Sequence, residues 1–257
     1  MLPARADRTM LVSALRARRL DRTLTTALST RDPHDDQAVG STGVAAIDAR
    51  LGGGLPRGQV SEIVGPRSSG RTSLVLQAMA AATARGELVA LVDALDMLDV
   101  ASAVAAGVDP QRLLWVRGHV VTSPGLCRDL NGRAMEQAVK ALSLVLQAGN
   151  FGLVVLDVGD APHDSLRRLP FTTWLRLQRM VEGSHTIGLL AGDAPMSRSA
   201  AGLTMTLRPA STPTGAAGRF EGHLLDGLDL EARVLRARVH VSDSEALSIA
   251  TRTACHV

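Results

Sequence analysis

At 257 residues the chain can form one large α/β domain or a core with appendages, and either has ample material to bury a hydrophobic core. The formal net charge is only +3, and Lys140 is the single lysine, so the basic side is almost wholly arginine. There is no apolar run of about 18 residues, no charged-then-apolar leader, and no metal spacing between Cys127 and Cys255. Membrane insertion and secretion are therefore not expected, and the chain reads as reduced and cytoplasmic.

Arginine pairs bidentately with phosphate, so an acidic partner such as DNA is permitted; a GC-rich genome produces the same bias. Aromatic residues are scarce, with no Tyr, two Trp and three Phe. Packing must rely on small aliphatic side chains, and few rings are available to stack on bases.

In chain order, residues 1–30 read as a basic amphipathic helix or arm. Met10, Leu11, Leu15, Leu24 and Leu28 gather on one side, with Arg16, Arg18, Arg19 and Arg22 largely elsewhere. Such a helix either docks on its own domain or reaches a partner. Residues 31–40 carry Pro, Gly and clustered Asp and read as a linker. Residues 41–210 then alternate strands and helices as βαβ units do. The expected strands are 58–65, 88–93, 112–116, 151–157 and 186–193. Helices are expected over 72–86, briefly within 97–107, over 133–148, and from Pro170 onward, where Phe171, Trp174, Leu175 and Val181 face inward. Residues 211–257 are expected to hold further strands and a tail, with Arg233, Arg238 and His240 on one side of a strand. The last fifteen residues show no period.

The expected architecture is α/β: a mainly parallel twisted sheet flanked by helices, with a phosphate-binding loop after its first strand. That loop is "GPRSSGRTS". A Gly-rich turn between a buried strand and a helix points backbone N–H groups and the positive end of the helix dipole at one spot, which attracts phosphate oxygens. The nucleotide-binding candidates are Gly65, Pro66, Arg67, Ser68, Ser69, Gly70, Arg71, Thr72 and Ser73. Thr72 supplies the hydroxyl expected on Mg²⁺, and Asp157, at the end of the apolar "LVVLD", supplies the acid that holds the metal. Arg71 stands where this motif carries lysine. Its guanidinium keeps the charge but is broad and planar, so phosphate binding survives more readily than the fine positioning that catalysis needs.

The run "STGVAAIDARLGGGLPRGQVSEIVGPRSSGRTSLVLQAMAAATARGELVALVDALDMLD", with the following "GVDPQRLLWVR", resembles the ATPase core of RecA-family recombinases. The likeness is dense over 41–117, recognisable through Asp157 and thin beyond. In active members the second strand runs into Asp-Ala-Glu, whose glutamate polarises the attacking water; here that place holds Leu95, which cannot. Asp96 is the nearest replacement and the candidate catalytic residue. Asp193 stands where a polar residue senses the terminal phosphate. The two segments that bind DNA in recombinases are short here, with Arg167, Arg168 and Arg198 as candidate DNA contacts.

Lys→Arg in the loop, a missing glutamate and short loops together resemble the ImuA family of accessory proteins. That likeness implies a degenerate site for ATP and Mg²⁺, at most weak and DNA-stimulated hydrolysis, and a role in translesion synthesis. The implied partners are an inactive Y-family polymerase homologue of the ImuB type, an error-prone replicative-type polymerase, RecA and DNA. The alternative is an active DNA-dependent ATPase or recombinase. A monomer or small oligomer is expected, and the arginine-rich stretch from Phe220 is the expected contact for the polymerase homologue.

Overall fold

A computed structural model describes residues 39–120, 128–159, 161–197, 201–210, 227–237 and 246–252, all within the unit Asp35–Val257. The expected helix over 1–30, nearly all of the linker, Arg198, Arg238, His240 and most of the stretch from Phe220 lie outside these residues.

The elements in order are β1 (Val39–Gly40), α1 (Ala45–Arg50), β2 (Leu55–Pro56), β3 (Gln59–Val64), α2 (Arg71–Ala84), β4 (Val89–Asp93) and α3 (Val100–Ala105). They continue with β5 (Leu113–Arg117), α4 (Arg128–Ala148), β6 (Leu153–Gly159), α5 (His163–Arg167), α6 (Phe171–Val181), β7 (Ile187–Gly192), β8 (Leu203–Pro209), β9 (Gly227–Ala237) and β10 (Leu247–Arg252). Eight strands form one sheet in the order β10-β9-β8-β3-β7-β6-β4-β5. The six from β8 to β5 are parallel, and β9 and β10 are added antiparallel.

Both faces of the parallel part are covered, which is why β4, β6 and β7 are near-continuous apolar runs. Leu91, Val155 and Leu189 face a core built with α1 and α2, whereas Val92, Leu156 and Leu190 face a second core built with α4 and α6. This alternation follows from the two-residue period of a strand. Trp174 and Val181 of α6 are buried as expected; Leu177 and Gln178 are buried as well. Gln178 has a structural task there, its Oε1 accepting the Val60 amide at 2.9 Å.

Two expectations need correction. The tail without a period contains β10, which pairs along β9 from Leu247–Ala232 onward. Helix α4 begins at Arg128, five residues before the expected start at 133. The strand reading around Arg233 extends only to Ala237 among the described residues.

Topology puts the carboxyl ends of β3, β4, β6 and β7 on one edge of the sheet. In open α/β sheets that edge, beside a strand whose neighbours come from later in the chain, is where ligands bind. Strand β3 is such a strand, lying between β7 and β8.

Candidate functional site

Gly65 follows β3, and its backbone is wedged in place: a Cβ there would lie 2.5 Å from both the Leu207 carbonyl oxygen and Ser69 Oγ. The loop then turns, with the Ser69 amide donating to the Pro66 carbonyl at 3.3 Å and Ser68 at φ +59°. Gly70 has φ +79°, and a Cβ on it would collide with Leu230 of β9. Only glycine meets both conditions without strain. Helix α2 starts at once with Arg71, so its free N–H groups face the loop.

Residues Pro66 to Ser73 enclose a cradle of about 240 Å³. Beside it, a cavity of about 270 Å³ opens between α2, the end of β4 and the turn that follows; Arg67, Arg71, Thr72, Asp93, Leu95 and Asp157 are among its walls. The structure thus brings together the loop, the hydroxyl of Thr72 and the carboxylate of Asp157. In β6, Asp157 stands opposite Asp93 of β4, and its Oδ1 accepts the Gly159 amide at 2.7 Å. This donor set suits a magnesium nucleotide: backbone amides and guanidinium for phosphate, hydroxyl and carboxylate for a hard cation.

Arg71 is buried, and its Nη1 donates to the Gly65 carbonyl at 2.5 Å. The guanidinium is thereby folded across the base of the loop.

Asp96 is not among the cavity walls. It sits at φ +58°, and its carboxylate is gripped by Arg117, Nε to Oδ1 at 2.6 Å and Nη2 to Oδ2 at 2.7 Å. Hydrogen bonding to Arg117, aided by its charge, holds the Asp96 carboxyl below the usual carboxylate range and raises Arg117. A base so depressed and so occupied is poorly suited to take a proton. The expectation that Asp96 replaces the missing glutamate therefore fails on geometry. Leu95 is the residue turned into the cleft, its Cδ1 close against Gly159.

Sequence reasoning missed two groups. Asp93 is buried and accepts the Leu98 amide at 2.8 Å and the Trp115 indole N–H at 3.3 Å, so it braces the turn that carries Leu95. Glu62 of β3 is fully buried; Oε1 accepts the amides of Met196 and Ser197 at 2.9 and 2.7 Å, and Oε2 accepts the Thr204 hydroxyl at 3.0 Å. An acid inside "VSEIV" was the available signal, because an unpaired charge is rarely tolerated in a buried strand. Asp193, expected at the position that senses the terminal phosphate, lies 3.1 Å from His163 Nε2 at the start of α5.

Of the arginines expected to touch DNA, Arg167 is exposed on α5, while Arg168 points Nη1 at Asp129 Oδ1, 3.2 Å away on α4. Both lie in the short connection after β6, remote in sequence from the phosphate loop. No group of three or more His, Cys, Asp or Glu among the described residues is placed to hold a metal by itself, and none of their helices is long and apolar enough to cross a membrane.

Fold and loop together define an α/β protein of the phosphate-loop class. The RecA N-terminal domain family matches residues 22–162, more than half of the chain. Protein RecA of Streptomyces avermitilis is 40% identical over 126 residues, 49% of this chain and 30% of that protein. Protein RecA of Chlorobaculum tepidum is 40% identical over 129 residues, covering 48% and 33%; that of Leifsonia xyli subsp. xyli is 37% identical over 161 residues, covering 61% and 41%. The chain belongs to the RecA family. It spans about a third of the length of most of these relatives.

Proposed function

We propose that this chain is a RecA-family accessory protein that holds a nucleoside triphosphate, hydrolyses it slowly at most, and acts in translesion synthesis through contacts with other macromolecules. The observation that carries this reading is Leu95: an apolar side chain lines the cleft where the resemblance calls for a water-polarising glutamate, while the loop, Thr72 and Asp157 persist around it. Leucine offers no lone pair to orient water, and Asp96, committed to Arg117, does not replace it.

In this reading Gly65 to Ser73 bind ATP, with Thr72 and Asp157 holding Mg²⁺. The metal, when bound, neutralises phosphate charge. Arg167, Arg168 and Arg198 contribute phosphate contacts to DNA. The partners are the inactive Y-family polymerase homologue, the error-prone replicative-type polymerase and RecA, reached through the segments flanking the core, 1–30 and 211–257.

The test is ATP hydrolysis with and without single-stranded DNA, for wild type, Arg71→Ala and Asp157→Ala. Wild-type turnover far below that of a recombinase supports the accessory role. DNA-stimulated turnover at recombinase rates, lost in both variants, identifies an active ATPase instead. Co-purification of the full chain with an ImuB-type protein, weakened by deleting 243–257, tests the partner assignment; unchanged binding refutes it.

A further inference from the structure

A groove of about 540 Å³ runs between α4 and α6. Those two helices pack on the face of the sheet opposite α2, so the groove is separate from the phosphate loop and its helix. Buried Val139 and Leu169 line it, and the Ser143 hydroxyl is satisfied within its own helix, donating to the Val139 carbonyl at 2.9 Å. The rims are less settled. Leu144 on α4 is 60% exposed, and half-buried Met180 borders the groove from α6. A large apolar side chain left in water beside an apolar groove marks an interaction surface.

The charge there is one-sided. Lys140, the chain's single lysine, and Arg176 line the groove, with Glu136 the one acid among its walls. Arg133, seven residues before Lys140 on α4, and Arg179, three after Arg176 on α6, extend the same helix stripes. All four cations are exposed, and none of them forms an ion pair among the described residues. Glu182 follows the end of α6, outside the groove walls.

We propose that this groove docks an acidic amphipathic helix of another protein. Apolar side chains of that helix enter between α4 and α6 and cover Leu144 and Met180, while its flanking carboxylates meet Lys140 and Arg176. From Glu136 to Gln147 the α4 wall runs about 16 Å at the rise of an α-helix, so the occupant presents about three turns. Charge argues against the chain's own residues 1–30, in the same or a second copy, because Arg16, Arg18, Arg19 and Arg22 would face like charge. A nucleic-acid backbone would satisfy the cations but leave Leu144 and Met180 in water.

The experiment is fluorescence anisotropy of labelled synthetic peptides of about 14 residues, titrated with the full chain. The first peptide carries Leu along one helical stripe and Glu beside it; the second has every Glu replaced by Lys, and the third every Leu by Ser. Wild type is expected to bind the first about tenfold or more tighter than either of the others. Lys140→Glu combined with Arg176→Glu weakens the acidic peptide by about tenfold and strengthens the lysine peptide, a reversal that a folding defect does not produce. Leu144→Ser weakens the acidic peptide by about tenfold, as loss of a buried leucine contact does. Failure of the acidic peptide to bind wild type, or binding that these variants leave unchanged, overturns the proposal. A wild-type preference for the lysine peptide overturns it in favour of a basic occupant. A single-stranded oligonucleotide that displaces the acidic peptide, and whose own binding is unaffected by Leu144→Ser, makes the groove a nucleic-acid surface and likewise overturns it.

Discussion

The Arg117 guanidinium and the Asp96 carboxylate meet through two hydrogen bonds of 2.6 and 2.7 Å, with Arg117 stacked 4.9 Å over the Trp115 ring. The Trp115 indole in turn donates to Asp93. The turn after β4 is therefore braced from two sides, and this bracing presents Leu95, not Asp96, to the cleft.

Asp96→Asn is expected to leave any residual hydrolysis within about twofold of wild type, whereas loss of a working general base costs two orders of magnitude or more. The pair has a pH signature too. Hydrogen bonding to Arg117 depresses the Asp96 pKa below its ordinary 3.8, so the pair contributes to stability at neutral pH and is lost as pH falls through the lowered folded value. In Arg117→Ala the Asp96 titration, followed by carboxyl carbon shifts, moves up toward that ordinary value.

Leu95→Glu restores a carboxylate to the cavity wall beside Asp157. Turnover of ATP is expected to rise by about a hundredfold over wild type, the low end of what a positioned base contributes. No increase, with nucleotide still bound, would mean that further groups have been lost.

Glu62→Ala strands two backbone amides and a hydroxyl in a dry interior. The expected cost is about 3 kcal/mol, read as a fall in Tm of roughly 10 °C. Glu62→Gln preserves the shape and can keep its amide oxygen on the two N–H groups while its NH₂ donates to the Thr204 hydroxyl, so a smaller loss of about 1 kcal/mol is expected.

Gly70→Ala combines a left-handed backbone with a collision against Leu230, and is expected to cost about 2–3 kcal/mol and to abolish nucleotide binding. Gly86→Ala is the matched control: φ is +83° but nothing stands within 4 Å of the added carbon. About 1 kcal/mol is expected there, with binding intact.

Taken alone, the chain specified the order of strands and helices through the core, because buried parallel strands write continuous apolar runs and helices between them end at Gly86, Gly107 and Gly149, each of which has positive φ. It also specified the phosphate loop and Asp157, since those residues are adjacent in sequence or placed at a strand end, where direction follows from the two-residue period. Tertiary structure decided the rest. Whether Leu95 or Asp96 enters the cleft depends on a partner 21 residues away, Arg117, which no local pattern reveals. Glu62 acquires its task only when β3, β7 and β8 are assembled and the amides of Met196 and Ser197, 134 and 135 residues distant, arrive beside it. Strand β10 pairs along the edge that β9 offers, its half-buried Leu247 and Ile249 alternating with exposed Ser248 and Ala250. Local propensity is written in neighbouring residues; charge pairing and burial are written in contacts between distant ones, and only the folded chain sums them.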